Sequence, residues 1–354
     1  MWSPWAGGDT GRAATQGRPY RPYRIGVILS DMTMREALAP DAELRAGRRT
    51  RPRRLSSEDL WGHIFIAPWL VGFVVFTLGP FVVSFYLSFT KYELYGMPTW
   101  VGLKNYVMLF NGLLHRGGDR TIAVALFNTI YYTVFSVPAG LALAFALAML
   151  LNAKVKGRAI LRTMFYIPSI TPAVASAILW LWLLNPTYGL VNLLLRTVFG
   201  IDPGPQWFSS TTWCKPALIV MSLWTVGNTV VIYLAGLQSV PETLYEAAAI
   251  DGADRWGMFR HVTVPQMTPS IFFTLILGLI GSFQVFTPAL VITNGGPADS
   301  TLFYLLHLYR NGFQYFKMGY ASALAWVLFA ITLVLTLLQF RLGSYWVYYE
   351  AETR

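Results

Sequence analysis

Six stretches of this chain are long, apolar and nearly free of charge, and each can supply the ~20 helical residues that cross a hydrocarbon core. They run over about 64–90, 122–151, 159–184, 216–237, 262–293 and 318–340. Inside lipid a backbone must satisfy its own N–H and C=O groups, and uninterrupted apolar runs do so as helices. The expected fold is all-α and polytopic, with six transmembrane helices. Charged residues are only 12% of the 354, about half the share in a soluble domain. Pro80, Pro138, Pro168, Pro172, Pro269 and Pro288 are expected to kink the spans. Cys214 is the single cysteine, which excludes an intrachain disulfide and a cysteine metal site. His63, His115, His261 and His307 are scattered and form no ligand cluster. Residues 25–29 are too short for the apolar core of a cleavable signal, so the first span is expected to direct insertion.

The formal net charge of +10 invites a nucleic-acid reading, but the charges are distributed as a topology signal. With an even number of spans both termini lie on one side. Most Lys and Arg fall on that side: the N-terminal tail, with its run Arg45, Arg48, Arg49, Arg51, Arg53 and Arg54, then Lys154, Lys156, Arg158, Arg162, Arg255 and Arg260. That side is read as cytoplasmic. The Arg run serves as a retention signal or as a contact for anionic lipid. Residues 1–59 are expected to be an unstructured cytoplasmic tail, 60–345 the six-span domain and 346–354 a cytoplasmic tail. The loops 91–121, 185–215 and 294–317 then face outward, with Trp100, Tyr106, Trp207, Trp213, Tyr304 and Tyr309 as expected interface anchors.

Between spans four and five lies a polar stretch, 239–265. Ser239 and Glu242 have capping-box spacing and Pro241 suits a first turn, so a helix is expected to begin there. Ala247, Ala248 and Ala249 give it a small-sided face, Gly252 a turn, and a second short amphipathic piece follows. It reads either as a knob that another protein grips or as a helical loop lying on the membrane surface. Glu246-Ala247-Ala248, Gly252 and Val262-x-Val264-Pro265 resemble the EAA loop, E-A-A-x3-G-x9-I-x-L-P, of permease subunits in binding-protein-dependent ABC importers. Val replaces both Ile and Leu, which keeps the apolar character. Trp100 to Tyr106, Phe127-Asn128-Thr129, Asn185 to Asn192 and Thr293 to Pro297 are similar to the carbohydrate-uptake branch. They look most like the first of its two permeases, the type found in maltose and glycerol-phosphate importers.

The resemblance covers about 60–345 and implies a type I importer fold with a cytoplasmic coupling helix in the loop 239–261. It implies a bacterial or archaeal cytoplasmic membrane and four kinds of partner. These are a second related permease, a pair of cytoplasmic ATPase subunits, an extracellular or periplasmic solute-binding protein, and a sugar, oligosaccharide or glycerol-phosphate-type solute. ATP and Mg would be bound by the ATPases and no cofactor by this chain. Glu246, Ala247, Ala248, Asp251, Gly252 and Arg255 become the coupling residues; Asp251, Asp254 and Arg255 either add rim contacts or only solvate the loop.

No GxxxxGK[ST] phosphate loop occurs, no carboxylate lies within the six spans, and no catalytic constellation falls at one depth. These absences weaken a nucleotide-using chain, a stand-alone ion-coupled carrier and an intramembrane enzyme; a non-transporting scaffold stays open. A sugar path needs hydroxyl-binding groups and aromatic faces. Span four offers Ser222, Trp224, Thr225, Asn228 and Tyr233, and span five Ser282, Phe283, Gln284, Phe286 and Thr287. Trp224 with Asn228, and Phe283 with Thr287, are four apart and expected to share a helix face. The candidate path is Ser222, Trp224, Asn228, Phe283, Gln284 and Thr287; the other reading makes these groups hydrogen-bond glue between helices. Phe283 and Gln284 also resemble the family's sugar-contacting positions, just before Asn294-Gly295-Gly296-Pro297. That segment reads as a turn or as a contact for the binding protein.

Overall fold

The computed structural model describes residues 57–153 and 156–348. The Arg45–Arg54 run, Lys154 and the last six residues lie outside the described residues. The chain forms two units, 1–71 and 72–354. The first contributes most of helix α1 (Ser57–Phe73).

The second unit holds α2 (Gly79–Ser88), a two-residue ribbon of β1 (Thr90–Lys91) and β2 (Thr99–Trp100), and α3 (Lys104–Leu113). Then come α4 (Thr121–Asn152), α5 (Arg158–Ile170), α6 (Ala173–Leu183), α7 (Leu190–Phe199), α8 (Cys214–Leu223) and α9 (Gly227–Ser239). Next are α10 (Glu242–Ile250), α11 (Arg255–Met258), α12 (Val264–Phe283), α13 (Tyr304–Tyr309) and α14 (Met318–Gly343). Among the described residues, four continuous helices are long and apolar enough to cross a membrane: Trp61–Ser88, Thr121–Asn152, Arg255–Phe283 and Met318–Gly343. Two bent pairs bring the number to six when each counts as one span.

One bend falls at an expected proline, Pro172, and the other in a span where no kink was expected. Within 159–184, α5 and α6 meet at 102°. Thr171 (ψ 133°) and Pro172 (ψ 135°) are extended there, because a proline ring drives the residue before it out of the helical region. Within 216–237, α8 and α9 meet at 44°. The Ser222 hydroxyl donates to the Ile219 carbonyl at 2.6 Å and Thr225 to the Ser222 carbonyl at 3.0 Å, which competes with the helical ladder. Gly227 starts the next piece against α5, where a Cβ would stand 2.6 Å from the Phe165 carbonyl. By contrast Pro138 sits inside the unbroken α4. Ahead of Pro80 and Pro265 the strain is absorbed by π-turns, Val74–Leu78 and Phe259–Thr263.

α4 is the central post, with α8, α9, α12 and α13 packed on it. Its fully buried Ala125, Ala144 and Ala148 let neighbouring helices approach closely. At the end carrying 239–265, Ala148 and Leu151 pack with Leu237 and Met267. At the opposite end Ile122 packs with Leu109, Tyr304, Tyr320 and Leu324. α2 lies along α14, with Phe81 and Phe85 rings 4.6 and 4.7 Å from Trp326.

A protruding loop and a polar cavity

Residues 239–265 fold as two helices and a π-turn. The expected capping box does not form. Ser239 ends α9 and its hydroxyl donates backward to the Gly236 carbonyl at 2.8 Å. Pro241 is the N-cap of α10, without a side-chain cap, and Glu242 places a carboxylate in the first turn, where the helix dipole favours it. The C-terminus is a complete Schellman turn. Gly252 N–H donates to the Ala249 carbonyl at 3.1 Å and Ala253 N–H to the Ala248 carbonyl at 2.9 Å. That turn requires a left-handed residue, and Gly252 has φ +80°. Asp254 does more than solvate: its carboxylate accepts from Gly257 N–H at 2.7 Å and caps α11.

Glu246, Ala247, Asp251, Gly252 and Arg255 are exposed, and Ala248 is half-buried. Two apolar side chains stand out among them that sequence reasoning missed, Ile250 at 86% exposure and Trp256, whose ring leans on Phe259. An apolar residue inside a polar loop was the signal that could have found them. Also missed was the tie from Tyr245, whose hydroxyl pairs with that of buried Thr263 at 3.0 Å. It joins α10 to the π-turn that opens α12.

A cavity of about 550 Å3 opens where α8 breaks into α9. Ser222, Thr225, Asn228 and Thr229 line it from that break, Tyr132 and Ser136 from α4, and Thr274 and Ser282 from α12. Asn228 Oδ1 lies 3.5 Å from the Ser169 hydroxyl at the α5 bend. Beneath it, buried Tyr233 and Thr274 pair hydroxyls at 2.7 Å.

Of the six path candidates, Ser222 and Asn228 line this cavity and the other four do not. Trp224 is exposed with its ring edge-on to Trp180 at 6.0 Å. Phe283 is 4% exposed and packs in the core with Tyr304 and Leu324. Gln284 is exposed at the C-cap of α12, and Thr287 lies beyond the helix end. Neither expected shared face exists, because α8 ends before Trp224 and α12 ends at Phe283. Tyr132, Ser136, Thr229 and Thr274 were missed; polar groups four apart on α4 were the available signal.

The loop motifs act as clasps. Asn105 donates to the Ser88 and Thr90 carbonyls at 2.8 and 2.9 Å. Asn192 donates to the Pro186 and Pro205 carbonyls, both at 3.1 Å, and accepts from the Trp207 indole at 2.7 Å. Asn128 donates to the Asp299 and Leu302 carbonyls at 2.8 and 3.1 Å, and Thr129 accepts from Tyr304 N–H at 2.9 Å. Tyr304, expected as an interface anchor, is buried with its hydroxyl on the Leu324 carbonyl. Asn294 and Gly295 form a turn at φ +42° and +82°, with Arg310 bonded to the Asn294 carbonyl.

His307 Nε2 lies 2.6 Å from Asp119 Oδ2, which also accepts from the Tyr320 hydroxyl at 2.9 Å. Thr121 donates its N–H and hydroxyl to Oδ1 at 3.1 and 2.6 Å. Burial alone would raise the Asp119 pKa; the bonds from His307, Thr121 and Tyr320 outweigh it and hold the carboxyl well below the usual carboxylate range.

Spans broken beside a polar cavity, with a structured loop joining two of them, are the build of a membrane transport protein. The profile of the family described as "Binding-protein-dependent transport system inner membrane component" matches residues 136–344, and the chain belongs to that family. It is 42% identical over 305 residues to "Probable ABC transporter permease protein YesP" of Bacillus subtilis (strain 168), covering 85% of this chain and 96% of that one. It is 34% identical over 288 residues to "Lactose transport system permease protein LacF" of Rhizobium radiobacter, covering 80% and 93%. Among solved structures, a chain of the "bacterial alginate ABC transporter in complex with alginate pentasaccharide-bound periplasmic protein" superposes with TM-score 0.68 at 25% identity, covering 80% of this chain and 93% of that one.

Proposed function

We propose that this chain is a membrane subunit of an ATP-driven importer for a saccharide, and that the loop 239–261 is where the driving force enters. The similarity to permeases named for lactose and alginate transport supports a saccharide. The observation that carries the coupling reading is the build of the loop. A closed helix with its apolar Ile250 exposed is fixed to α12 through Tyr245 and Thr263. Seated in a cleft of a moving ATPase, such a peg tilts α9 and α12 and so opens or closes the cavity at the α8–α9 break. Glu246, Asp251 and Arg255 supply charge around the contact, Ala247 and Ala248 allow close approach, and Gly252 holds the turn.

On this reading the loop and both termini face the cytoplasm of a bacterial or archaeal cell. ATP and Mg belong to a pair of ATPase subunits, a second permease completes the path, and an extracellular binding protein delivers the solute to the opposite end. Ser222 and Asn228, with Tyr132, Ser136, Thr225 and Ser282, offer hydroxyl and amide groups to sugar hydroxyls.

The test is co-purification of the ATPase from cells expressing the complete transporter. Glu246→Arg and Gly252→Pro should each abolish it while the chain still inserts. Normal ATPase retention by both variants would remove the coupling role. Asn228→Ala should alter solute choice with assembly intact; unchanged choice would move the path elsewhere.

A further inference from the structure

A further cavity, of about 510 Å3, lies at the end of the bundle opposite the protruding loop. Three lysines from three places in the chain line it: Lys91 on β1, Lys104 at the start of α3 and Lys317 just before α14. Hydrogen bonds hold these places together. Asn105 donates to the Ser88 and Thr90 carbonyls, and Gly319 N–H donates to the Tyr92 carbonyl at 3.1 Å. Glu93 is the acid among the lining residues, and it pairs with Lys91 at 3.4 Å. Among the described residues Lys104 and Lys317 have no ion pair. Two like charges lining one cavity repel, and an anion between them turns that repulsion into attraction.

The spans fix the level of this cavity. Trp61–Ser88 ends shortly before Lys91, and Met318–Gly343 begins directly after Lys317, so the cavity sits where the chain leaves the hydrocarbon core. α3 starts at the same level, tied there by Asn105. Leu103, Val107, Phe110 and Leu114 run from its N-cap to its C-cap at intervals of four, three and four, and all are exposed. That spacing makes one apolar stripe. Val107 belongs both to the stripe and to the cavity lining. Next to Lys317, Phe313, Tyr315 and Phe316 are exposed as well, and the Tyr95 ring lies 6.4 Å from that of Phe316. Such a band of apolar and aromatic side chains is unfavourable in water and is covered by acyl chains at the headgroup level.

We infer that this cavity holds the phosphate of an anionic phospholipid from the leaflet at that end, with an acyl chain laid along the α3 stripe. Lys104 and Lys317 donate to the phosphate oxygens, as basic pockets between spans do toward lipid headgroups, and the Lys91–Glu93 pair borders them. A lipid fits better than a free anion because Val107 joins the charged lining to the apolar stripe without a break. Head and chain are met in the order in which a phospholipid presents them. The bound lipid clamps the end of α2, the start of α3 and the head of α14 to one another. The inference requires only that the chain spans a membrane and is independent of which solute is carried.

The experiment uses the complete transporter, purified in a neutral detergent and stripped of lipid. Phosphatidylglycerol and phosphatidylcholine, which share the phosphate and differ in net charge, are added in turn, and bound lipid is counted by native mass spectrometry. The expected result is a phosphatidylglycerol held at least about tenfold more tightly than phosphatidylcholine and lost from the double variant Lys104→Gln, Lys317→Gln. The double variant Lys104→Arg, Lys317→Arg should hold it within about threefold of wild type. Leu103→Ser with Phe110→Ser should weaken retention although both lysines remain. Both lysines are exposed, so melting temperature and ATPase subunits should match wild type in the Gln variant. Unchanged retention by that variant would overturn the inference. So would a wild type without headgroup preference, a measurement that needs no variant. Displacement of the lipid by an equal concentration of inorganic phosphate would make this a small-anion site and overturn it too. If the Gln variant keeps the lipid but no longer captures the extracellular binding protein, the surface belongs to that protein and the inference falls.

Discussion

The two ends of the helix bundle are held in different ways. Within the loop 239–265 the fixing bonds are short in sequence, Ala253 to Ala248, Gly257 to Asp254 and Tyr245 to Thr263, and the long-range bond at that end, Tyr348 N–H to the Thr268 hydroxyl, lies outside the loop. At the opposite end, buried side chains reach across 171 residues from Asn128 to Asp299, 188 from His307 to Asp119 and 201 from Tyr320 to Asp119. A locally closed loop can move as one piece without unmaking tertiary bonds. A region clasped by buried polar groups resists deformation, because each opened bond leaves an unsatisfied group. The difference fits a molecule driven from one end and gripped at the other.

The largest effect that would sharpen this contrast is expected from Asp119→Ala. It strands His307, Thr121 and Tyr320 together and should cost about 3 kcal/mol in thermal unfolding of the purified protein. A cost under about 0.5 kcal/mol would erase the distinction between the ends. The same carboxyl sets a pH dependence. Because its folded pKa is depressed, its contribution is complete above the ordinary carboxylate value of about 3.9 and is lost as pH falls toward the lower folded value. Unfolding scans of wild type should fall away below about pH 4 more steeply than those of Asp119→Asn.

At the other end Gly252→Val forces a β-branched residue to φ +80° and should cost about 1–2 kcal/mol. The loss should appear as weakened ATPase retention, with little change in the global melt. A matching fall in melting temperature would show that the loop is not independent. Tyr245→Phe removes one hydrogen bond, about 1 kcal/mol, and should lower uptake while the ATPase still co-purifies. Smallest of all, Ile250→Ser on a side chain exposed to solvent should shift unfolding by no more than about 0.5 kcal/mol, yet weaken ATPase retention.

Much of the protruding loop was legible because its determinants are local. Gly252 three residues after Ala249 states its own turn, and the EAA spacing names the family in which that turn occurs. The capping box failed because Ser239 was already committed to the preceding helix. The lining of the cavity was less legible. Assigning Phe283 and Thr287, or Trp224 and Asn228, to one face assumed an unbroken helix, and the helices break between the members of each pair. Tyr132 and Ser136 looked like ordinary polar residues of a span until the α8–α9 bend opened a cavity against them.

Apolar length, charge asymmetry and the loop spacing are one-dimensional properties, so the amino-acid sequence alone determined a polytopic helical membrane protein of this transport family. Which polar groups meet was left to tertiary structure. The partners of Asn128 and Asp119 lie far along the chain or on other helices. A bend of 44° or 102° decides which side of a helix faces a cavity and which faces a core. Those angles arise where proline, glycine and back-bonding hydroxyls interrupt the ladder and neighbouring helices fill the gap, a balance of packing that no single stretch of residues contains.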